Sequence, residues 1–327
     1  MNNSRIKRRK NKNRVIKRIL KFLLIICIIG LSYGGYVIFQ TLQAANGAYT
    51  EIDRGGKSDL RDKEIKISKD PFSVLIMGIE DYSTGGTNGR TDSLIVATID
   101  PGKKTMKMLS IPRDTLVTVP EEGETKINHA HVYGGKNLTI ETVEDFLEVP
   151  IDYFVTVNFE GFKNIIDIVD GVTVDVPFDF TETSDETKKR LSFYEGKMNL
   201  NGEEALAYAR MRKQDPRGDF GRNDRQRQIM AAFIDELVSP KNIFKVDDIS
   251  KELGKNVETN VRVSEGIGLT KQFANFDSKD ISTITLEGED SYIGGVYYFV
   301  PYEESVEEIK GEIRNHLQIS APEQDLE

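Results

Sequence analysis

The stretch Phe22–Phe39 (FLLIICIIGLSYGGYVIF) runs 18 residues without a charge, close to the ~20 that an α-helix needs to cross a bilayer. Residues 1–21, just before it, carry ten Lys or Arg and no acid. Basic flanks stay on the cytoplasmic side, so one transmembrane helix over residues 22–40 would leave everything after Gln40 outside the cell. A cleaved signal peptide is the alternative, since the small residues of QAANGA follow, although its apolar region is expected to span only ~7–15 residues.

The anchored reading divides the rest of the chain. Residues 1–21 become a basic cytoplasmic tail and residues 41–69, polar and without periodicity, a stalk. Residues 70–318 form one extracellular domain, and residues 319–327 a tail. The formal charge of −9 conceals an asymmetry: without the ten N-terminal cations, 34 basic residues face 53 acidic ones, a net of −19. Such a surface repels polyanions except at a local basic patch, which speaks against a nucleic-acid partner. The only cysteine, Cys27, lies in the apolar run. The outer domain therefore has no disulfide, thiolate metal site or cysteine nucleophile. His129 and His131, two residues apart, read as structural rather than as a zinc site.

Strand and helix patterns interleave from residue 70 onward. PFSVLIMGIE, LIVATID and TMKMLSIP read as buried strands, with the Gly-rich loop DYSTGGTNGRTDS between the first two. A short helix is expected over Thr139–Leu147, then a strand (YFVTVNF), a helix closed by Gly171 and another strand (VTVDVP). Asn201 and Glu204 have the spacing of a capping box opening the helix GEEALAYARM. A second helix from about Phe220 to Val238 repeats Ile229, Met230, Phe233, Ile234, Leu237 and Val238 at core-facing intervals. A helix near Gly266–Phe273, strands at ISTITL and YIGGVYYFV, and a helix from Glu303 complete the pattern. The fold class expected is α/β, a mixed central sheet flanked by helices. No G-x-G-x-x-G or G-x-x-x-x-G-K signature supports nucleotide binding.

Chemistry concentrates in three places. Glu80 and Asp81 end the first strand and Arg90 and Asp92 open the second. Carboxylates from neighbouring strand ends suit a hard cation such as Mg2+, or Mn2+, with phosphate oxygens and water completing its shell. Next, Ile111-Pro112-Arg113-Asp114 leaves the third strand at the sheet rim, where α/β proteins bind ligands. Finally, the segment from Arg210 to Arg227 carries Arg210, Arg212, Lys213, Arg217, Arg222, Arg225 and Arg227. Arginine's planar fork matches phosphate oxygens, so this cluster reads as an anion site. Arg222, Arg225 and Gln226 share a face at the start of the expected helix, where free N–H groups also favour an anion.

The order G-x-E/D, R-T-D-S, I-P-R-D, Y-A-R-x-R and G-x-x-x-R-x-x-R-Q, spread over Asp70 to Leu237, resembles the LytR–CpsA–Psr family of bacterial envelope proteins. That resemblance implies a phosphotransferase moving an anionic glycopolymer, such as wall teichoic acid or capsule, from undecaprenyl pyrophosphate onto peptidoglycan. It implies Arg113 and Asp92 as catalytic residues, and Arg90, Arg113, Arg210, Arg212, Arg222, Arg225 and Gln226 as the pyrophosphate-binding set. Asp92 and an acid near position 80 would hold Mg2+. The family pattern has Asp two residues after the strand-end glycine, where this chain has Glu80 and then Asp81; the shorter carboxylate, Asp81, is the expected ligand. A polyprenyl-pyrophosphate pyrophosphatase, a regulator and a non-catalytic glycan-binding module are the competing readings.

Overall fold

The computed structural model of the protein describes residues 49–50, 52, 57–80, 89–239, 241–242, 256–273, 276 and 278–320. The apolar run Phe22–Phe39, the basic tail and Asp81 lie outside the described residues. Among the described residues, no helix is long and apolar enough to cross a membrane.

In chain order the strands are β1 (Phe72–Glu80), β2 (Arg90–Asp100), β3 (Thr105–Ile111), β4 (Leu116–Val119), β5 (Gly123–Lys126), β6 (Tyr153–Asn158), β7 (Val172–Val176), β8 (Phe180–Thr183), β9 (Arg190–Phe193), β10 (Gly196–Leu200), β11 (Val257–Thr259), β12 (Ile281–Thr285), β13 (Gly288–Ile293) and β14 (Val296–Pro301). The helices are α1 (His129–Leu147), α2 (Phe159–Ile168), α3 (Gly202–Arg210), α4 (Asp219–Leu237), α5 (Val263–Gln272) and α6 (Glu303–Leu317). Six strands form a central sheet in the order β11-β6-β1-β2-β3-β12. It is mixed: β2 runs antiparallel to β1 and β3, β6 is parallel to β1, and β12 is parallel to β3.

The strand repeat of two decides what each face covers. Leu75, Met77, Leu94, Val96, Leu109 and Ile111 point to one side and pack with Ile140 and Val143 of α1 and Ile309 and Ile313 of α6. On the other side Ile95, Ala97 and Met108 meet Met230 of α4. Burial of each such side chain contributes ~1.5–3 kcal/mol. Beyond α4, β7 and β10 form a two-stranded antiparallel sheet whose Val172, Val174 and Leu200 join Tyr208 of α3 and Ile229 of α4 in a third cluster. Helix α4 thus lies between two cores, which fixes its position over the sheet.

Local signals act where expected at several ends. Asn201 accepts from Glu204 N–H while the Glu204 carboxylate accepts from Asn201 N–H, at 2.9 and 3.0 Å. Gly171 follows α2 at φ +86°, with no room for a Cβ beside Asn199 and Leu200. Helix α1 departs from expectation, starting at His129 instead of Thr139. Gly134 and Gly135 both leave helical geometry and kink the helix, so the part from Thr139 on belongs to its second segment. The segment expected to be a free stalk also behaves differently from residue 57. Arg61 is buried and grips Asp152 through Nε and Nη2 at 2.9 and 2.6 Å, and Ser58 donates to Glu144 at 2.6 Å. A bidentate, desolvated pair of this kind docks residues 57–69 onto the domain.

Candidate active site

Asp92 owes its position to an irregularity in the sheet. Gly78 pairs with Ser93 and Ile79 with Thr91, so Asp92 is one residue too many in β2 and has no partner on β1. Such a bulge re-aims a side chain without breaking the strand. Cross-strand partners share a face, so Thr91 follows Ile79 and Met77 into the core while Ser93 stays with Ile76 on the α4 side. Gly78 leaves room for the close approach, since a Cβ there would lie 3.1 Å from that of Ser93. At the last rung, Glu80 pairs with Arg90.

Arg113 reaches back from the exit of β3 and donates from Nη1 to Asp92 Oδ1 at 2.6 Å. Its own neighbour Asp114 lies 3.5 Å from Nε and accepts from Lys126 Nζ at 2.6 Å. The chain here is held from several directions. Thr115 donates its hydroxyl to Pro112 O at 2.6 Å, and Phe299 N–H of β14 donates to Asp114 O at 2.9 Å. Arg113 is therefore a fixed guanidinium, partly open to solvent, beside a carboxylate.

From the other side α4 closes on the same spot. Ser93 Oγ and Gln226 Oε1 are 3.0 Å apart, and Arg222 shares Gln226's helical face one turn earlier. Arg222 is buried. The sequence places Arg225 in this phosphate-binding set, and the structure removes it. Arg225 is 1% exposed and points into the fold, donating from Nε to Tyr208 O at 3.1 Å, from Nη2 to Met211 O and from Nη1 to the buried Asp215. Its guanidinium also lies 5.8 and 5.9 Å from the rings of Phe180 and Tyr208. Although burial acts to raise Asp215, the Arg217 N–H and the Arg225 guanidinium hold its carboxyl below the usual carboxylate range. Helical spacing alone could not tell the Arg222–Gln226 edge from Arg225, three residues on and one step around.

The two arginines of Y-A-R-x-R do not project together. Arg210 ends α3, then Met211 turns extended (φ −57°, ψ 130°) and is buried, which separates its neighbours. Arg210 pairs with Asp185 and covers the Phe159 ring at 4.9 Å. Phe159 follows Asn158, which pairs with Ile79, so Arg210 stands on the β6–β1 flank. Arg212 instead lines a cleft of about 260 Å³ with Pro112 and Asp114, on the β3 flank. Arg217 and Arg227 both pair with Asp224.

Residues 35–315 match the profile of the LytR_cpsA_psr family. The chain belongs to this family. It is 51% identical over 310 residues to the polyisoprenyl-teichoic acid–peptidoglycan teichoic acid transferase TagV of Bacillus subtilis (strain 168), covering 93% of this chain and 79% of that protein. The crystal structure of B. subtilis TagV superposes with a TM-score of 0.71 at 53% identity, over 79% of this chain and all of that one. The family protein YwtF (TagT) with bound octaprenyl pyrophosphate lipid superposes at 0.66 and 34% identity, over 83% of this chain and all of that one.

In this LytR_cpsA_psr chain the residues available to a divalent cation are of one chemical type. Asp92 and the half-buried Glu80 supply hard oxygen donors from adjacent strands, which suits Mg2+ sharing its shell with phosphate. They do not make a closed cage. Among the described residues there is no group of three or more His, Cys, Asp or Glu that could hold a metal by itself, and Arg113 occupies one oxygen of Asp92. The donor set therefore fits an ion held jointly with a ligand.

Sequence reasoning missed several supporting residues. Lys126 and Asp185 lie in mixed-charge stretches that do not distinguish them from solvated surface, Ser93 entered only as the last letter of R-T-D-S, and tertiary contact is what brings all three to the site. His131 is more telling. Its Nδ1 is 2.7 Å from Gly89 O, tying α1 to the residue before Arg90. Burial pushes its pKa down, partly offset by that carbonyl. His129 lies next to Thr125, its Nδ1 2.8 Å from Oγ1, and burial followed by nearby Lys126 and Arg90 lowers it as well.

Proposed function

We propose that this protein is a membrane-anchored transferase, its domain outside the cell, that moves an undecaprenyl-pyrophosphate-linked anionic glycopolymer onto peptidoglycan and releases undecaprenyl phosphate. The observation that carries the proposal is the meeting of Arg113 with Asp92 at 2.6 Å, beside Ser93 and Gln226, in a chain so similar to a named teichoic acid transferase.

The reaction needs an acceptor hydroxyl oxygen to bond to the glycan-bearing phosphorus. The bond from that phosphorus to the bridging oxygen breaks, and the electron pair leaves on undecaprenyl phosphate. The hydroxyl proton passes to solvent or to the departing phosphate. Phosphoryl transfer asks for positioning and charge neutralisation more than covalent chemistry. Arg113 supplies a fork of donors for phosphate oxygens, held in direction by Asp92 and by the Asp114–Lys126 pair. Arg90, Arg210, Arg212, Arg222 and Gln226 surround that position from β2, the α3 end and α4, each able to donate to oxygens that gain charge. Asp185 would release Arg210 as a phosphate arrives. Arg225 takes no part with the substrate; it holds the α3–α4 connection that aims Arg212 and Arg222. Mg2+, or Mn2+, would be held by Asp92 with Glu80 or Asp81, and its charge would neutralise the pyrophosphate.

The test is Asp92→Asn. Transfer from a synthetic polyprenyl-pyrophosphate glycan to peptidoglycan oligomers should fall at least ~100-fold, as for loss of a group that orients charge at the reacting centre. Undiminished transfer would refute the assignment, and a wild-type protein that binds the lipid but never turns it over would be a glycan-binding module.

A further inference from the structure

We propose that the cleft between the β13–β14 hairpin and the first turn of α4 is the acceptor subsite, where a hexopyranose of the receiving glycan strand sits with its hydroxyl turned toward Arg113. The inference rests on the transferase reading and adds to it the place and chemical character of the second substrate.

The walls of the cleft match a sugar ring. Phe220 and Tyr297 give aromatic surface over the buried Phe299, while Arg217 and Asp290 give hydrogen-bonding groups around it and Arg212 is shared with the phosphate position. A pyranose has apolar C–H faces and a rim of hydroxyls, so it uses both at once. Phe220 is exposed and meets Phe299 edge-on at 6.0 Å, and Tyr297 donates its hydroxyl to Asp290 at 2.7 Å. Asp290 is thus held where it can accept from a ligand hydroxyl with its second oxygen. The aromatic line continues outward to Tyr292, 73% exposed and 5.7 Å from Tyr297. An exposed aromatic row beside a polar cleft marks a binding surface rather than unused core.

Charge distinguishes acceptor from donor. The donor polymer is anionic, but the cleft is nearly balanced: Arg217 already pairs with Asp224, and Asp114 with Lys126. A near-neutral glycan fits such a wall better than a polyphosphate does. The position is also fixed relative to the chemistry, because β14 is tied through Phe299 N–H to Asp114 O, one residue beyond Arg113. The cleft lies on the β3 flank, whereas Arg210 stands on the β6–β1 flank, so the two substrates would approach the phosphorus from different sides. An adjoining lobe of about 210 Å³ shares Pro112, Arg217, Phe220 and Asn223. Its wall includes Ser110, whose buried Oγ has no hydrogen-bond partner among the described residues. This lobe gives room for a second unit of the same strand.

The experiment uses the full chain in detergent, a synthetic polyprenyl-pyrophosphate glycan as donor and a peptidoglycan tetrasaccharide as acceptor. Tyr297→Ala should raise the acceptor KM about tenfold, the loss of roughly one ring contact, with the donor KM within twofold. Tyr297→Phe, which keeps the ring, should recover most of that loss. An unchanged acceptor KM, or a rise in the donor KM instead, would overturn the proposal. If the wild type makes no coupled product, the transferase reading fails by itself. Saturation-transfer NMR with the tetrasaccharide then decides the subsite: a signal lost in Tyr297→Ala supports it and an unaltered signal refutes it.

Discussion

Arg113 and Asp92 face each other at the end of neighbouring strands, Nη1 to Oδ1 at 2.6 Å, because the β2–β3 register that sets Leu94 opposite Ile111 runs on to them, at the point where β2 also carries one residue more than β1. Without the bulge, strict alternation would place Asp92 on the side of Leu94, in the apolar core. The pair is therefore a product of strand register as much as of residue identity. It ties the candidate site to the most buried part of the fold.

Replacing Arg113 with Lys should keep the charge and lose the fork. Lysine offers a point charge on a flexible stem and cannot bridge Asp92 and a phosphate oxygen in one plane. Transfer should fall about 100-fold while the melting temperature stays within a few degrees. Wild-type kinetics in the lysine variant would show that directionality at this position is irrelevant.

Arg225 should behave in the opposite way from its neighbours. Asp215 and Arg225 are a desolvated pair, with side chains 0% and 1% exposed, and removing one partner of such a pair typically costs ~3–5 kcal/mol. Arg225→Ala should lower the denaturation midpoint strongly. Gly221→Ala should do so too, because a Cβ at Gly221 would collide with the Asp215 carboxylate. Arg212→Ala, on the exposed cleft wall, should leave the midpoint nearly unchanged and reduce transfer. Equal stability losses at Arg212 and Arg225 would contradict this division.

The three histidines predict a pH response. His129, His131 and His316 are all lowered, with burial the largest cause in each. His316 lies between Thr98 and Thr105, its two ring nitrogens 2.7 and 3.0 Å from their hydroxyls. A histidine with a depressed folded-state value binds its proton more readily when unfolded. Its contribution is then complete above the ordinary value of ~6.5 and is lost as pH falls below it. Melting temperature should drop between pH 7.5 and 5.5, and less so in His316→Gln. A flat profile over that range would count against neutral, buried histidines.

Residues carried unequal amounts of this information. The sheet strands were legible because runs such as VLIMG and LIVATI have no alternative burial partner, and the Asn201–Glu204 cap was legible because it is local. The family motifs pointed to Asp92 and Arg113, but nothing local announced the bulge that turns Asp92 to the α4 side. Arg225 was misplaced for a related reason. Its burial depends on Asp215 and two carbonyls of the preceding segment, contacts that helical spacing does not encode. The docking of Arg61 on Asp152 joins residues 91 apart in sequence and is equally invisible to composition.

The most direct test of the account is coupling by the purified full chain, supplied with a polyprenyl-pyrophosphate glycan and peptidoglycan oligomers, in Mg2+ and in EDTA. The account predicts glycan joined to peptidoglycan with one polyprenyl phosphate released per coupling event, and neither product in EDTA. Cleaved lipid without coupled glycan, or equal coupling in EDTA, would contradict it.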